Sequence, residues 1–455
     1  MRIMAESTQI RRILEGADQH LNYRDKKRAK KRLVSSERLQ CNFILKHKAG
    51  RRCNMTRRAN ERYCAQHVLE VKDSIGGRKR IRCPLDPGHT IWEDQLESHK
   101  LRCRKNPQLL APQDIWFKEN FNITSSSTHN ETQARDSEIN HPTRAEYEKW
   151  IEIVRQTHLT IEERADRVIM DHFGLEKRLE ELENKKHALQ QASLIGNLDA
   201  QGFLAGENVI IEFGCGRGEL SRYIAKAQHL KHIREGGGKI QRKYLLVDRA
   251  GPRLKLDSKI EKDYAEAVDD TEDGLKPIVG RLKIDIKDLM LDKVPLLEGD
   301  NAMVVAVSKH LCGCATDLTL QCLRNSRFVD EEKLVGIEIA LCCRQLCTYS
   351  MYSEVGRQWL LKHGIDGAGF KMLTTMTSWA VCGSRSKANE INNHPSNMGE
   401  LEREKIGHMA RRIIDYGRVL FLRSWGLNVK LVEYIDKEVS LENICIIASP
   451  TASNQ

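Results

Sequence analysis

No window of the 455-residue chain approaches the roughly 18 consecutive apolar residues that a membrane-spanning helix requires. The opening residues, MRIMAESTQIRRILEG, also lack the unbroken apolar stretch of a secretory leader. With neither feature, the 14 cysteines point to a reducing compartment, where metal ligation and buried thiols replace disulfides. The sequons at Asn122 and Asn130 then read as chance matches. There is no internal repeat. A membrane partner is not expected, and no feature calls for an obligate protein partner. The nucleus, the cytoplasm or both are the expected locations.

Charge is present but unevenly placed. Residues 1–105 hold 27 Lys+Arg against 12 Asp+Glu, a net of +15 where the whole chain carries +11, so the remainder is slightly acidic. Such asymmetry predicts a polyanion docking on the N-terminal part, nucleic acid before anionic membrane, because no amphipathic apolar face accompanies the charge. The tract RDKKRAKKR, Arg24 to Arg32, lies in a basic tail over 1–40 and fits a solvated segment, a phosphate-binding arm or a nuclear import signal.

Two cysteine–histidine sets follow the tail. Cys41, Cys53, Cys64 and His67 are separated by eleven, ten and two residues; Cys83, His89, His99 and Cys103 by five, nine and three. Zinc takes four thiolate or imidazole ligands in a tetrahedron, and each set supplies four. The segments 41–67 and 83–103 have almost no apolar residues for a core, so two structural Zn2+ ions are expected to supply their folding energy. Both sets are complete, leaving no open position for catalysis. Residues 104–145 read as a polar linker.

Residues 146–195 carry apolar positions at helical spacing (Trp150, Ile151, Val154; Val168, Ile169, Phe173), and LEKRLEELENKKHALQQ continues as a mixed-charge helix. From about 205, β-rich apolar runs alternate with segments of helical character: NVIIEFG, KYLLVDR, RLKIDI, AMVVAVS and KLVGIEIAL. That rhythm predicts an α/β doubly wound sheet. LNVKLVEYI and ENICIIAS are close enough to pair as an antiparallel hairpin, while 259–275 and 384–405 look like polar insertions.

The turn VIIEFGCGRGELS, 209–221, places Glu212 before Gly214, Cys215, Gly216 and Gly218. Its spacing is GxGxG, whereas a dinucleotide fold expects GxGxxG, and Glu219 puts an anion where a pyrophosphate would sit. An acid beside the turn suits a cationic methionine group. The pattern resembles class I S-adenosylmethionine methyltransferases. Asp248, ending KYLLVD 30 residues after Gly218, is placed to accept from both ribose hydroxyls; Asp285, at the end of RLKIDI, is placed to read adenine. The REGGGK stretch, 234–239, accounts for the long separation.

AVSKHLCGCATDL, 306–318, ends the fourth strand, so Ser308, Lys309, His310 and Cys312 are expected to face the transferred methyl. For a ribose hydroxyl acceptor, His310 would act as base and Lys309 would stabilise the developing alkoxide. The cysteines of LCCRQLC, with Cys312 and Cys314, read as buried free thiols and not as a third metal site, because no histidine pair accompanies them.

Finger spacings, EFGCGRGELS, SKHLCGCATD and MTSWAVCG together resemble the eukaryotic tRNA ribose 2′-O-methyltransferase family that modifies nucleotide four of the acceptor stem, along the whole chain and in order. The resemblance implies a class I (Rossmann-like) methyltransferase domain over 146–455, with N-terminal helices, preceded by a CCCH and a CHHC finger. It implies S-adenosylmethionine as cofactor and the tRNA acceptor stem as partner. Glu212 and the glycines would hold the methionine end, Asp248 the ribose, and His310 would lie by the acceptor. In one place the chain departs from the family: Arg344 and Gln345 follow the paired cysteines where the family has histidines, and Arg344 is a candidate to grip a phosphate. The alternatives are a zinc-finger RNA-binding protein with a catalytically weak methyltransferase fold, or a base or protein methyltransferase. Against base methylation, SKHLCG stands where an Asn/Asp-Pro-Pro-aromatic turn would be.

Overall fold

The structure is a computed structural model that describes residues 39–45, 51–57, 62–64, 67–70, 80–85, 89–101, 103, 114–123, 142–236, 240–252, 255–265, 275–299, 302–381 and 394–451. The basic tract 24–32, most of the expected linker, Asn130, residues 237–239, the polar stretches 266–274 and 382–393 and the end of MTSWAVCG lie outside these residues. The chain forms two compact units, Met1–Gln113 and Asp114–Gln455.

In the first unit, β1 (Arg80–Arg82) and β2 (Thr90–Trp92) form an antiparallel hairpin with Ile81 opposite Ile91. Apart from cysteines, Val68 and Ile91 are its only buried apolar side chains among the described residues. A core that small cannot offset chain entropy unaided.

The second unit is built on an eight-stranded sheet. Its strands are β3 (Asp166–Arg167), β4 (Val209–Phe213), β5 (Lys243–Asp248), β6 (Ile278–Lys283), β7 (Val304–Cys312), β8 (Leu334–Cys342), β9 (Leu427–Glu433) and β10 (Ile444–Pro450), in the order β3-β9-β10-β8-β7-β4-β5-β6. β6, β5, β4, β7 and β8 run parallel; β10 is antiparallel to both β8 and β9, so the expected terminal hairpin forms, and β3 pairs parallel with β9 outside it at the sheet edge. This is the α/β architecture expected, with the topological switch between β4 and β7.

Strands covered on both faces must be apolar at every position, and VIIEF of β4 is buried throughout. Val209, Ile211 and Phe213 join Val304, Ala306, Ile337 and Ile339 on one face. Ile210, Val305, Val307 and Ala340 pack on the other against Leu194 and Leu198 of α2 (Lys186–Ala200) and Ile224 of α3 (Glu219–Arg234). Each of these Val, Leu, Ile and Phe side chains contributes about 1.5–3 kcal/mol on burial. A separate helical layer unites α1 (Arg144–Leu159), α6 (Glu354–Lys362), α7 (Gly367–Thr377) and α8 (Glu400–Arg423) around Ile151, Leu360, Phe370 and Ile413. Between strands lie α4 (Asp257–Ala265) and α5 (Cys314–Arg324).

Three expectations are corrected. First, the expected linker 104–145 contains an ordered strap: residues 114–123 belong to the second unit. Phe117 pairs with Leu289, and Asn122, 2% exposed, donates to the carbonyls of Ile286 and Leu289 at 2.7 and 2.8 Å. Its polar composition concealed an apolar anchor, Trp116-Phe117, that packs on the sheet's core. Second, helix does not run through 146–195. Thr143 and Glu146 form a capping box that starts α1, which ends at Leu159; Val168, Ile169 and Phe173 then lie in extended and 3-10 chain. Sheet pairing of Asp166 and Arg167 with Val432 and Glu433 overrides the helical spacing there. Third, parts of the supposed polar insertions are regular: Asp257–Ala265 and Glu400–Arg423 are helices.

Candidate active site and metal centres

In the first finger, bridges between Gln40 and Thr56 and between Ile44 and Arg52 bring Cys41 and Cys53 across a short antiparallel ladder. All four ligand atoms of Cys41, Cys53, Cys64 and His67 lie within 4.8 Å of one another, and all four residues are buried. His67 presents Nδ1, 3.3 Å from Cys64 Sγ and 3.6 Å from Cys41 Sγ, and its ring is fixed by stacking on Phe43. Burial raises the Cys41 thiol, but hydrogen bonds from the backbone of Cys64 and Phe43 bring it down to about 7.

The second finger uses the β1–β2 hairpin to set Cys83 and His89, whose backbones are joined by a 3.1 Å hydrogen bond. The helix Leu96–Lys100 carries His99. Here both histidines present Nε2: Cys83 Sγ is 3.2 Å from His99, and His89 Nε2 lies 3.9 Å from Cys103 Sγ. Both donor sets are convergent, soft and complete, and they fit one zinc ion each.

The second site lies at the switch point, where open α/β sheets bind ligands. Beyond β4, Gly214, Gly216 and Gly218 all have positive φ (66°, 50° and 79°). A Cβ on Gly214 would stand 3.0 Å from the His310 carbonyl oxygen, so glycine lets the turn lie directly against the end of β7. Glu212 sits beneath the turn, its Oε2 accepting from the Ser221 backbone and hydroxyl at 3.0 and 2.5 Å; burial raises its carboxyl to about 7. Asp248 Oδ2 accepts from Gly216 N at 2.8 Å and Oδ1 from Ala250 N at 2.7 Å, tying β5's end to the turn. Burial, then the Glu212 carboxylate, pushes the Cys215 thiol up to about 12, which removes it as a nucleophile.

Glu212, Gly214, Cys215, Gly216, Gly218 and Asp248 are therefore one constellation. Asp285 stands past the end of β6, where it caps a 3-10 turn by accepting from Lys287 N. Sequence reading passed over Arg281, inside β6. Its Nη1 donates to Gly216 O at 2.8 Å and contacts Cys215 Sγ at 3.0 Å, while its other nitrogens grip Asp257 at 2.7 Å. An arginine in a half-buried strand carried no signal to distinguish it from a solvated one.

At the end of β7, Lys309 Nζ lies 3.0 Å from His187 Nδ1 and 3.2 Å from His310 Nε2. Burial lowers the Lys309 ammonium to about 8. Burial, then Lys309 and His187, lowers His310 to about 4. Beside them, Arg178 donates to Glu219 at 3.0 Å and stacks over Tyr223. His187 was missed because HALQQ reads as one side of an ordinary amphipathic helix; the fold turns it toward β7.

The remaining expected neighbours separate. Ser308 is buried, its Oγ without a hydrogen-bond partner among the described residues, and it follows Ala306 on the opposite face from Lys309. Cys312 lies 3.6 Å from Cys342, Sγ to Sγ. Arg344 does not reach outward to a phosphate: it is 0% exposed, donating to Asp415 at 2.7 and 3.1 Å, to Glu442 at 2.6 Å and to Leu341 O at 2.9 Å. Arg418 extends this buried network through Asp317, at 2.8 Å, and contacts Cys347 Sγ at 3.1 Å.

Residues 189–449 match the family described as Methyltransferase TRM13, residues 39–68 the CCCH zinc finger in TRM13 protein, and residues 80–104 the U11-48K-like CHHC zinc finger. The chain is 42% identical to the tRNA:m(4)X modification enzyme TRM13 of Yarrowia lipolytica, over 90% of each chain. To the enzyme of that name from Saccharomyces cerevisiae it is 35% identical, covering 92% of this chain and 98% of the other. A solved structure of the plantazolicin methyltransferase BpumL in complex with SAH aligns at 9% identity over 68% of this chain and 98% of its own, with a TM-score of 0.25, too low to bear on the fold. Matched over more than half its length, with both fingers in order, the chain belongs to the TRM13 methyltransferase family.

Proposed function

We propose that the protein transfers a methyl group from S-adenosylmethionine to the ribose 2′-hydroxyl of nucleotide four in the tRNA acceptor stem. The observation that carries this reading is the meeting, at the switch point, of the glycine turn of β4 with the Lys309–His310 end of β7. The names of the relatives, tRNA modification enzymes, support the substrate class.

The residues present fit the cofactor. The turn offers backbone without side chains, Glu212 offers negative charge beneath it, and Asp248 retains acceptor capacity beyond the two backbone bonds it makes. S-adenosylmethionine supplies an electrophilic methyl on a cationic sulfur. The chain's own residues prepare the acceptor. A ribose hydroxyl is a weak nucleophile until its proton leaves, and a base works best with a pKa near the operating pH. Lys309, buried and at about 8, meets that requirement, so the base expected at His310 is assigned to Lys309. The neutral Lys309 Nζ takes the proton, while His187 Nδ1 and His310 Nε2 aim the amine. The fingers and basic N-terminal third hold the polyanion by phosphate contacts.

The test is incubation of purified protein with methyl-labelled S-adenosylmethionine and unmodified tRNA, with the label mapped to nucleotide and atom. Label on the 2′-oxygen of nucleotide four is expected, and Asp248→Ala should lose cofactor binding while keeping tRNA binding. Label on a base nitrogen, or no transfer by zinc-loaded protein, overturns the reading.

A further inference from the structure

No histidine pair accompanies Cys312, Cys342 and Cys343 in the sequence, yet the fold brings their three sulfurs within 4.8 Å of one another. We propose that this cluster is a third metal site, holding one soft d10 cation, Zn2+, through three thiolates with the fourth position left to water. The inference is independent of the methyl acceptor and of the cofactor.

Two sources of geometry support it. The first is the spacing. Cys312 and Cys342 face each other across β7 and β8, at 3.6 Å between sulfurs. In the two fingers the corresponding sulfur pairs stand 4.0 Å (Cys53–Cys64) and 3.7 Å (Cys83–Cys103) apart. Zn–S bonds of about 2.3 Å arranged tetrahedrally put sulfurs at this separation. Two strand-end cysteines alone would make a simple thiol pair; the third sulfur makes a face of a tetrahedron.

The second is that the third cysteine is held in place at a cost. Cys343 has φ 49° and ψ 45°, the left-handed region that a side chain-bearing residue seldom adopts. Its N–H donates to Glu442 Oε1 at 3.0 Å, and the other oxygen of Glu442 is gripped by Arg344 and Arg411. Arg344 also binds the Leu341 carbonyl at 2.9 Å. The backbone on both sides of Cys342 is therefore clamped by the buried ion network, which keeps the adjacent thiols of 342 and 343 on the same target. Arginine at 344 holds the chain on both sides of Cys342 through the Leu341 carbonyl and Glu442. Thiolate donors select zinc over the hard divalent ions.

The cation would join the carboxyl ends of β7 and β8 two residues beyond His310, fixing the strand end that presents Lys309. Full-length protein, incubated with excess Zn2+ and freed of loosely held metal, should contain three zinc ions per chain by mass spectrometry of the element. Cys312→Ser, at an exposed position, should contain two. In the wild type reconstituted with Co2+, thiolate-to-cobalt charge transfer should reflect eight thiolates, three from this cluster and five from the fingers, and Cys312→Ser should lose about three-eighths of it. The cobalt spectrum of the wild type stands even if the variant folds poorly. Two ions per chain in the wild type, charge transfer from five thiolates, or a Cys312–Cys342 disulfide in freshly purified protein overturns the proposal.

Discussion

Replacing Arg344 with methionine separates a structural arginine from a phosphate-binding one. The guanidinium bridges Asp415 and Glu442 and caps the Leu341 carbonyl, with its side chain wholly buried and that of Asp415 only 2% exposed. Methionine fills most of the volume but leaves both carboxylates short of a partner. Removing one member of a buried ion pair typically costs 3–5 kcal/mol. Here the low end applies, because Asp415 retains Arg418 at 3.5 Å and Glu442 retains Arg411. At about 2 °C per kcal/mol for a domain of this size, a loss of about 3 kcal/mol lowers Tm by about 6 °C. Differential scanning fluorimetry of full-length protein measures this directly. Filter binding of tRNA at two salt concentrations provides the contrast: below the melting temperature, affinity and salt slope should match the wild type. An unchanged Tm with weakened, less salt-dependent tRNA binding would refute the reasoning and return Arg344 to the phosphate backbone.

The other predictions concern charge and metal. Glu212 has its carboxyl raised to about 7, so it is protonated below that pH and ionised above it. Affinity for the cationic cofactor should therefore rise about fivefold from pH 6 to pH 7, about twofold more by pH 8, and then level off, and Glu212→Gln should flatten the profile in isothermal titration. Lys309, lowered to about 8, is a base only when neutral, so single-turnover transfer should increase as pH rises through about 8. Lys309→Met should reduce the rate about 10²–10⁴-fold with cofactor affinity retained; equal loss of both would make the residue a binding element. Because the first unit has little core beyond its cysteines, a strong chelator should expose Met1–Gln113 to protease while Asp114–Gln455 persists. Zinc contributes about 10 kcal/mol or more to such modules, and survival of the intact chain in the chelator would contradict that role.

Local sequence carried what depends on spacing alone. The two finger ligand sets were readable because thiols and imidazoles at close intervals in a coreless segment have few other uses. The central strand cores were readable because parallel strands bury both faces, so VII of β4 and VVAV of β7 are apolar runs, and Glu212 stands out as the one acid within β4. The glycine turn and Asp248 were readable from their order after those strands. Tertiary structure decided everything that needs two distant segments to meet. His187 becomes a neighbour of Lys309 only when α2 packs on the sheet, across 122 positions of chain. Arg281 reaches the glycine turn from 65 positions away, and Asn122 docks on 286–289 from within what reads as linker. The lowered Lys309 ammonium has the same origin: burial shifts it to about 8, and burial is a property of the packed chain. Arg344 makes the point most plainly, since an arginine has the same formula whether it faces a phosphate or two buried carboxylates, and only the packing of α8 and the loop before β10 around it supplies Asp415 and Glu442.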